Sequence, residues 1–337
     1  MTSRVLAALL GAALLLGACS SDPKPKAEKP TQSATPSESP TPTPTPTPTS
    51  LLAGRVGLKD GRVLAVKIDN TAKAHPQVGV AKADVVYIEQ VEGGVTRLVA
   101  VFSSQLPKEV GPVRSARITD IDLLRQYGTV ALAYSGSNNG VNKNLRRAKL
   151  KLLSNDVNHR GFRRSGSRPA PYNVIGDPAE LLKRAGHGVS APKQVGYEFG
   201  PLPAGGKRAT SVVARYPMAT VGAEWSADRQ RWLLSMDGRK DMAAEGGQLG
   251  AATFIIQYAK VKASVFVDVN GVATPRTDTV GFGPALIFRE GKVFSAKWRR
   301  PKATAPTEYT IGGQKAVFAP GTVWVALIAR KQPVTVR

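Results

Sequence analysis

The 337-residue sequence predicts an α+β protein, with a mixed α/β N-terminal domain followed by a β-rich C-terminal domain. Three observations lead there. Apolar residues make up 42% of the chain, enough to build a proper core. Apolar runs of strand length alternate with helical spacing up to about residue 189, and beyond residue 209 nearly everything reads as strand and turn. Between them, residues 190–208 are rich in Pro and Gly and have no clear period, as expected of a crossing segment.

The elements follow in order. Arg62 to Ile68 reads as a strand, and so do Asp84 to Val91 and Thr96 to Phe102. Glu92-Gly93-Gly94 joins the last two as a tight turn, its glycines accepting positive φ. Ile118 to Tyr127 has helical spacing with Gly128 as its stop, and Thr129 to Tyr134 is a buried strand. Asp177 as N-cap and Pro178 at the first helical position begin a short helix through Ala185. Later strands are Arg231 to Met236, Thr253 to Tyr258, Ser264 to Val269, Ala285 to Arg289, Lys292 to Trp298 and Val323 to Ile328. Asp237-Gly238 and Glu290-Gly291 mark hairpin turns. The two domains are thus expected at 51–189 and 209–337.

Residues 1–18 have the parts of a secretory signal peptide: Arg4, an apolar run from Val5 to Leu16, then Gly17-Ala18. The run is shorter than the ~20 residues a membrane span needs. Leu16-Gly17-Ala18-Cys19 fits a bacterial lipobox, which makes Cys19 the expected lipidation site, its diacyl group giving two-chain anchoring. The bland alternative is a signal peptide with an incidental cysteine. Cys19 is the only cysteine, so a disulfide framework, a thiolate nucleophile and a Cys-ligated zinc site are excluded from the body. Residues 19–50 read as the lipidated cysteine and a disordered Pro/Thr-rich stalk. Its Thr-Pro alternation from Thr41 to Thr49 favours polyproline II geometry, at ~3.1 Å per residue. The expected location is the cell membrane, lipid-anchored on the extracytoplasmic face.

The chain is strongly basic, with 47 Lys and Arg against 24 Asp and Glu, a formal net charge of +23. Such an excess attracts polyanions over long range. Export argues against nucleic acid, so the expected partners are the membrane through the lipid anchor and an anionic cell-wall polymer or anionic lipid. The alternative is a basic surface that only aids solubility. Between Lys143 and Arg168 stand nine cations and one acid, Asp156, which is harder to dismiss as background.

Several stretches resemble the DUF3048 family. They are Lys67-Ile68-Asp69-Asn70, His75-Pro76-Gln77-Val78-Gly79, Ala83-Asp84-Val85-Val86-Tyr87 and Val91-Glu92-Gly93-Gly94-Val95-Thr96-Arg97. Further on are Gly111-Pro112-Val113-Arg114-Ser115-Ala116-Arg117, Arg168-Pro169-Ala170-Pro171-Tyr172-Asn173 and Pro320-Gly321-Thr322-Val323-Trp324. The resemblance covers nearly all of 54–330 and implies a two-part body in an envelope lipoprotein, without implying a reaction. His75 stands where the family usually has Arg, and Tyr172 where it usually has His, which removes an acid–base imidazole from that loop.

Arg114 and Arg117, spaced i, i+3 at an expected helix start, form a candidate guanidinium clamp for an anion, with Arg97 as a third prong. Arg163, Arg164 and Arg168 are further anion-binding candidates from the basic stretch. The competing reading pairs these arginines with Glu92, Asp84 or Asp120. Asp69, Glu92 and Asp120 are the acid–base candidates. No ligand spacing supports a metal, and no cofactor is expected. His75, His159 and His187 are scattered, and neither Ser115 nor Ser135-Gly136-Ser137 has a nucleophile elbow. Trp298, beside Arg299-Arg300, is a candidate sugar-stacking platform. Three functions remain open: a binder of an anionic envelope component, an enzyme acting on a phosphorylated or peptidoglycan-related substrate, and a scaffold for a partner protein.

Overall fold

The computed structural model describes residues 47, 49–268 and 271–337. The predicted signal peptide, Cys19 and most of the stalk lie outside the described residues. Thr49 and Ser50, read as the end of the stalk, belong to the folded body: Thr49 bridges Val56 and Ser50 is buried. Among the described residues, no helix is long and apolar enough to cross a membrane.

Among the described residues strand outweighs helix, 44% against 12%. The first half contributes β1 (Leu64–Asp69), β2 (Val85–Gln90), β3 (Thr96–Phe102), α1 (Ile118–Leu124), β4 (Ala131–Tyr134), α2 (Asn139–Arg147), β5 (Lys151–Ser154) and α3 (Pro178–Ala185). The second half contributes β6 (Ser211–Tyr216), β7 (Ala219–Ser226), β8 (Arg231–Met236), β9 (Thr253–Ala259), β10 (Val261–Val267) and β11 (Ala273–Thr277). It continues with β12 (Gly281–Arg289), β13 (Lys292–Arg300), β14 (Glu308–Ile311), β15 (Gln314–Lys315), β16 (Val323–Ala329) and β17 (Val334–Val336). Local signals place several of these where the sequence expects them. Asp177 caps α3 by accepting from the N–H groups of Ala179 and Glu180, and Gly128 ends the helical turn after α1 at φ 94°.

The halves do not keep separate sheets. One twelve-stranded sheet runs β15-β14-β13-β12-β9-β16-β2-β3-β1-β4-β5, with Lys207–Arg208 beside β13. Its centre is β16, which pairs in parallel with β2 of the first half and β9 of the second. Val323 is partnered by Val85 on one side and Thr253 on the other, and Ala326 by Ile88 and Ile256. An unbroken apolar run, Val-Trp-Val-Ala-Leu-Ile-Ala, suits this place, because a central parallel strand is covered on both faces.

Alternation along the strands sends side chains into two cores. Leu64, Val66 and Ile68 of β1 pack with Val212, Ala214 and Trp232 from the six-stranded sheet of the second half. Ala65, with Val99 and Tyr87, packs on the other side with Leu123, Leu124, Val141 and Leu145 of α1 and α2. A polar tie also joins the halves, His75 Nδ1 to Asp241 Oδ1 at 3.0 Å.

Two expectations about the second half need correction. Trp298 is no exposed sugar platform. It is buried in the core with Tyr309 and Phe318, and its indole N–H donates to the Tyr258 carbonyl at 2.9 Å. Arg300, read as a neighbour of that platform, is not exposed either: it is fully buried and donates to main-chain carbonyls, among them Asp122 and Ala305. Strand alternation explains both, since Trp298 and Arg300 share one inward face of β13 while Arg299 points out.

Because β16 holds both halves, its loss should be felt by both. Leu327→Ala, at a fully buried position, is expected to cost roughly 2–5 kcal/mol. Tryptophan fluorescence, which reports only the second half, and far-UV circular dichroism, which reports the whole body, should shift together. Separate transitions would contradict a shared sheet.

Candidate functional site

Parallel pairing decides where the charged residues meet. β1, β2, β4, β9 and β16 run the same way, so their carboxyl ends lie along one edge of the sheet. Open sheets with parallel strands commonly bind ligands there. The turn after β2 carries Glu92. The loop after β4 carries Ser135 to Asn138, and the chain after β9 becomes the two-stranded ribbon β10–β11. Antiparallel β3 enters from the same edge, which sets Arg97 opposite both Asp69 of β1 and Glu89 of β2.

Arg114 and Arg117 reach the edge by a different route from the one expected. Neither is helical. Val113 bridges Ile68, the Arg114 N–H donates to the Lys67 carbonyl at 2.8 Å, and α1 begins only at Ile118. The segment before α1 therefore lies beside β1, and this adjacency, not an i, i+3 helical spacing, brings the two arginines together. Nor is the start of α1 an open anion site, because the Arg117 N–H donates to Asp120 Oδ2 at 2.7 Å.

The result is a cleft of about 980 Å³ lined by Arg97, Arg114 and Arg117, with Glu92, Ser115, Ser137, Asn138, Val267, Asp268, Val272 and Thr274 also on its walls. Gly136 closes one side at φ 88°. A Cβ there would meet Ser115 Oγ at 2.6 Å, so the loop needs glycine. The ribbon is fastened across the cleft by named contacts. Asn138 Nδ2 donates to the Val267 carbonyl at 2.5 Å, Thr274 Oγ1 donates to Glu92 at 2.5 Å, and Arg276 pairs with Asp122 at 3.0 Å. Phe266 lies against Gly140 of α2, where any Cβ would be 2.5 Å from its ring.

The four carboxylates set among the arginines and Lys67 are all committed, and a fifth on the cleft wall, Asp268, accepts from the Val272 N–H at 2.8 Å. Asp69 accepts from Arg114 Nε at 2.8 Å and from Thr71 N–H and hydroxyl at 2.8 and 2.5 Å. Glu92 accepts from Arg117 Nε and Nη2 at 2.8 and 2.5 Å. Burial pushes the Glu92 carboxyl up, but the Arg117 charge and hydrogen bonds bring it below its ordinary value. Asp120 is fully buried and accepts from Lys67 Nζ at 2.9 Å. Glu89, the fourth, bonds the same Lys67 ammonium, so two buried carboxylates share one buried lysine. Burial raises Glu89 to about 7, against the pull of Lys67 and with the repulsion of Asp120.

Arg97 differs from its neighbours. Among the described residues its guanidinium makes a single hydrogen bond, from Nη1 to the Ser115 carbonyl at 3.2 Å, and it bonds none of the carboxylates. Burial, then the charges of Arg117 and Arg114, push its guanidinium down to about 9. A guanidinium keeps its proton at neutral pH, so the shift describes a charge held where its surroundings oppose it.

The other sequence-predicted anion residues are not on the cleft walls. Arg163 forms an exposed pair with Glu109, Arg164 bonds Asn173, and Arg168 donates to the carbonyls of Ala74 and Pro76. From the same basic stretch, Lys143, Arg146 and Arg147 are exposed along α2, whose Asn139 and Val141 line the cleft. The ribbon residues Val267, Val272 and Thr274 were invisible as site residues. They lie about 180 positions from Glu92, and no motif marks them.

Comparison with known proteins agrees with this architecture. Residues 49–190 match the family described as protein of unknown function (DUF3048), N-terminal domain, and residues 212–325 its C-terminal domain. YerB of Bacillus subtilis (strain 168), whose name proposes a lipoprotein, is 27% identical over 285 residues, covering 79% of this chain and 81% of that protein. The crystal structure of a Bacillus subtilis YerB protein superposes with a TM-score of 0.72 at 23% identity, over 85% of this chain and 99% of that one, and so shares its fold.

The raised Glu89 gives a pH test. A folded-state value of about 7 against an ordinary 4.5 means the folded protein keeps a proton the unfolded chain releases. Its contribution to stability is complete below pH 4.5 and is lost as pH rises through about 7. Glu89→Gln should therefore flatten the decline in thermal midpoint between pH 5 and 8, and parallel profiles for the two proteins would refute the assignment.

Proposed function

The chain belongs to the DUF3048 family, and on the geometry of its cleft we propose that it is a lipid-anchored extracytoplasmic protein that binds an anionic component of the cell envelope. The lipoprotein reading draws on the lipobox at Cys19 and on the name of the Bacillus subtilis relative. Anion binding draws above all on Arg97. Three guanidinium groups line one cleft, and that of Arg97 is opposed by the other two while bonding no carboxylate. An anion seated among them would supply the missing charge and accept charge-assisted hydrogen bonds.

Binding fits the site better than acid–base catalysis. A general acid or base must be free to exchange a proton within reach of a substrate. Glu92, on the cleft wall, is held by Arg117 and Thr274, and Asp69 by Arg114 and Thr71. Asp120 and Glu89 are fully buried around Lys67. The exposed cations of α2, beside the same cleft, would add long-range attraction that weakens with salt.

A residue kept for binding at a cost to folding has a recognisable signature. Arg97→Met should leave stability without added anion unchanged or higher in urea unfolding of the full-length protein. Inorganic phosphate at ten times its dissociation constant should stabilise the unmodified protein by about 1.4 kcal/mol and the variant by much less. A loss above ~1 kcal/mol without anion would make Arg97 a structural residue.

A further inference from the structure

The cleft is built from two chemically different materials. The sheet edge and the segment before α1 supply the guanidinium groups, whereas the ribbon β10–β11 and its turn supply apolar carbon, Val267 and Val272, beside Asp268 and Thr274, whose side chains are engaged by the Val272 N–H and by Glu92. Val267 and Val272 both line the cleft, and they are 45% and 44% exposed. Val95, half-buried in the turn between β2 and β3, joins the same lining.

Those valines are not what holds the ribbon down. Its attachments are Thr274 to Glu92, Arg276 to Asp122, the Thr277 N–H to Thr119 Oγ1 at 3.1 Å, Asn138 to the Val267 carbonyl, and the Phe266 ring against Gly140. Their apolar surface is left in water at the mouth of a cationic cleft, and burying it is favourable for whatever fills the space. The volume, about 980 Å³, is near the upper end of the range for sites that enclose drug-sized ligands, far more than a lone hydrated anion requires.

We infer that the cleft takes an anionic amphiphile: a phosphate-type head among Arg97, Arg114 and Arg117, and a hydrocarbon chain along Val95, Val267 and Val272. This rests on the anion-binding reading and names the class of ligand. A diacyl phospholipid and an isoprenoid phosphate carrier share that chemistry.

The test uses the full-length protein and soluble probes below their micelle concentrations, with affinity read by thermal shift or calorimetry. Hexyl phosphate should bind roughly tenfold more tightly than inorganic phosphate, the gain expected from burying about two methylene groups. Val267→Ser/Val272→Ser, at exposed positions, should remove most of that gain and leave inorganic phosphate affinity unchanged. Equal binding of hexyl phosphate and inorganic phosphate by the unmodified protein would overturn the amphiphile and leave the anion site standing. Failure of both to bind would remove the anion site and the amphiphile together. A gain that survives the double substitution would overturn the placing of the chain on the ribbon. Geranyl phosphate against dihexanoyl phosphatidylglycerol then separates the two sources, and tighter binding of either than of inorganic phosphate supports the inference.

Discussion

The architecture depends on β16 being hydrogen-bonded on both sides. Val323–Ala329 arrives near the end of the chain and lies in parallel between β2 and β9, which are separated by more than 160 positions. Parallel pairing carries no turn that could set it locally, so it requires the rest of the chain to be in place. It also requires a strand apolar on both faces, and the all-aliphatic and Trp composition of β16 meets that need. Once β16 is seated, β2 and β9 point the same way. The turn carrying Glu92 and the ribbon that roofs the cleft then have to emerge at the same edge.

Electrostatics at that edge follows a graded pattern. Deepest is Lys67, enclosed by Glu89 and Asp120. Outward come two pairs, Asp69 with Arg114 and Glu92 with Arg117. Arg97 sits among them with only a carbonyl partner. Burial and the charges of Arg117 and Arg114 oppose its guanidinium, while Asp69 and Glu92 favour it without bonding it, and that imbalance is what the proposed anion would relieve. Pairing has a second effect. By occupying their carboxylates, Arg114 and Arg117 anchor their own guanidinium groups, so the donors of the proposed anion site are already oriented.

Much of the fold could be read from local pattern. β1, β2, β3, α1 and α3 appear where apolar spacing, the Glu92-Gly93-Gly94 turn and the Asp177-Pro178 start put them. α2 carries no readable apolar stripe, because Val141 and Leu145 are its only buried residues among basic and amide ones. Arg97, Arg114 and Arg117 are identifiable as a group, since few residue types suit a charged clamp. Helical spacing was expected at Arg114 and Arg117, and an irregular strand beside β1 does the work instead.

Sequence by itself carried the lipobox-like string with its single cysteine, the basic excess, the order of most strands and the three arginines that line the cleft, because each is set by neighbouring residues or by composition. Only the tertiary structure decided that the two halves share one sheet, that Trp298 and Arg300 turn inward, and that Arg163 is an exposed pair away from the cleft. It also decided that Arg97, alone of the three cleft arginines, lacks a carboxylate. The physical reason is distance along the chain. Which charge meets which, and which valines face the arginines, depends on parallel contacts between segments far apart in sequence, and no local pattern encodes them.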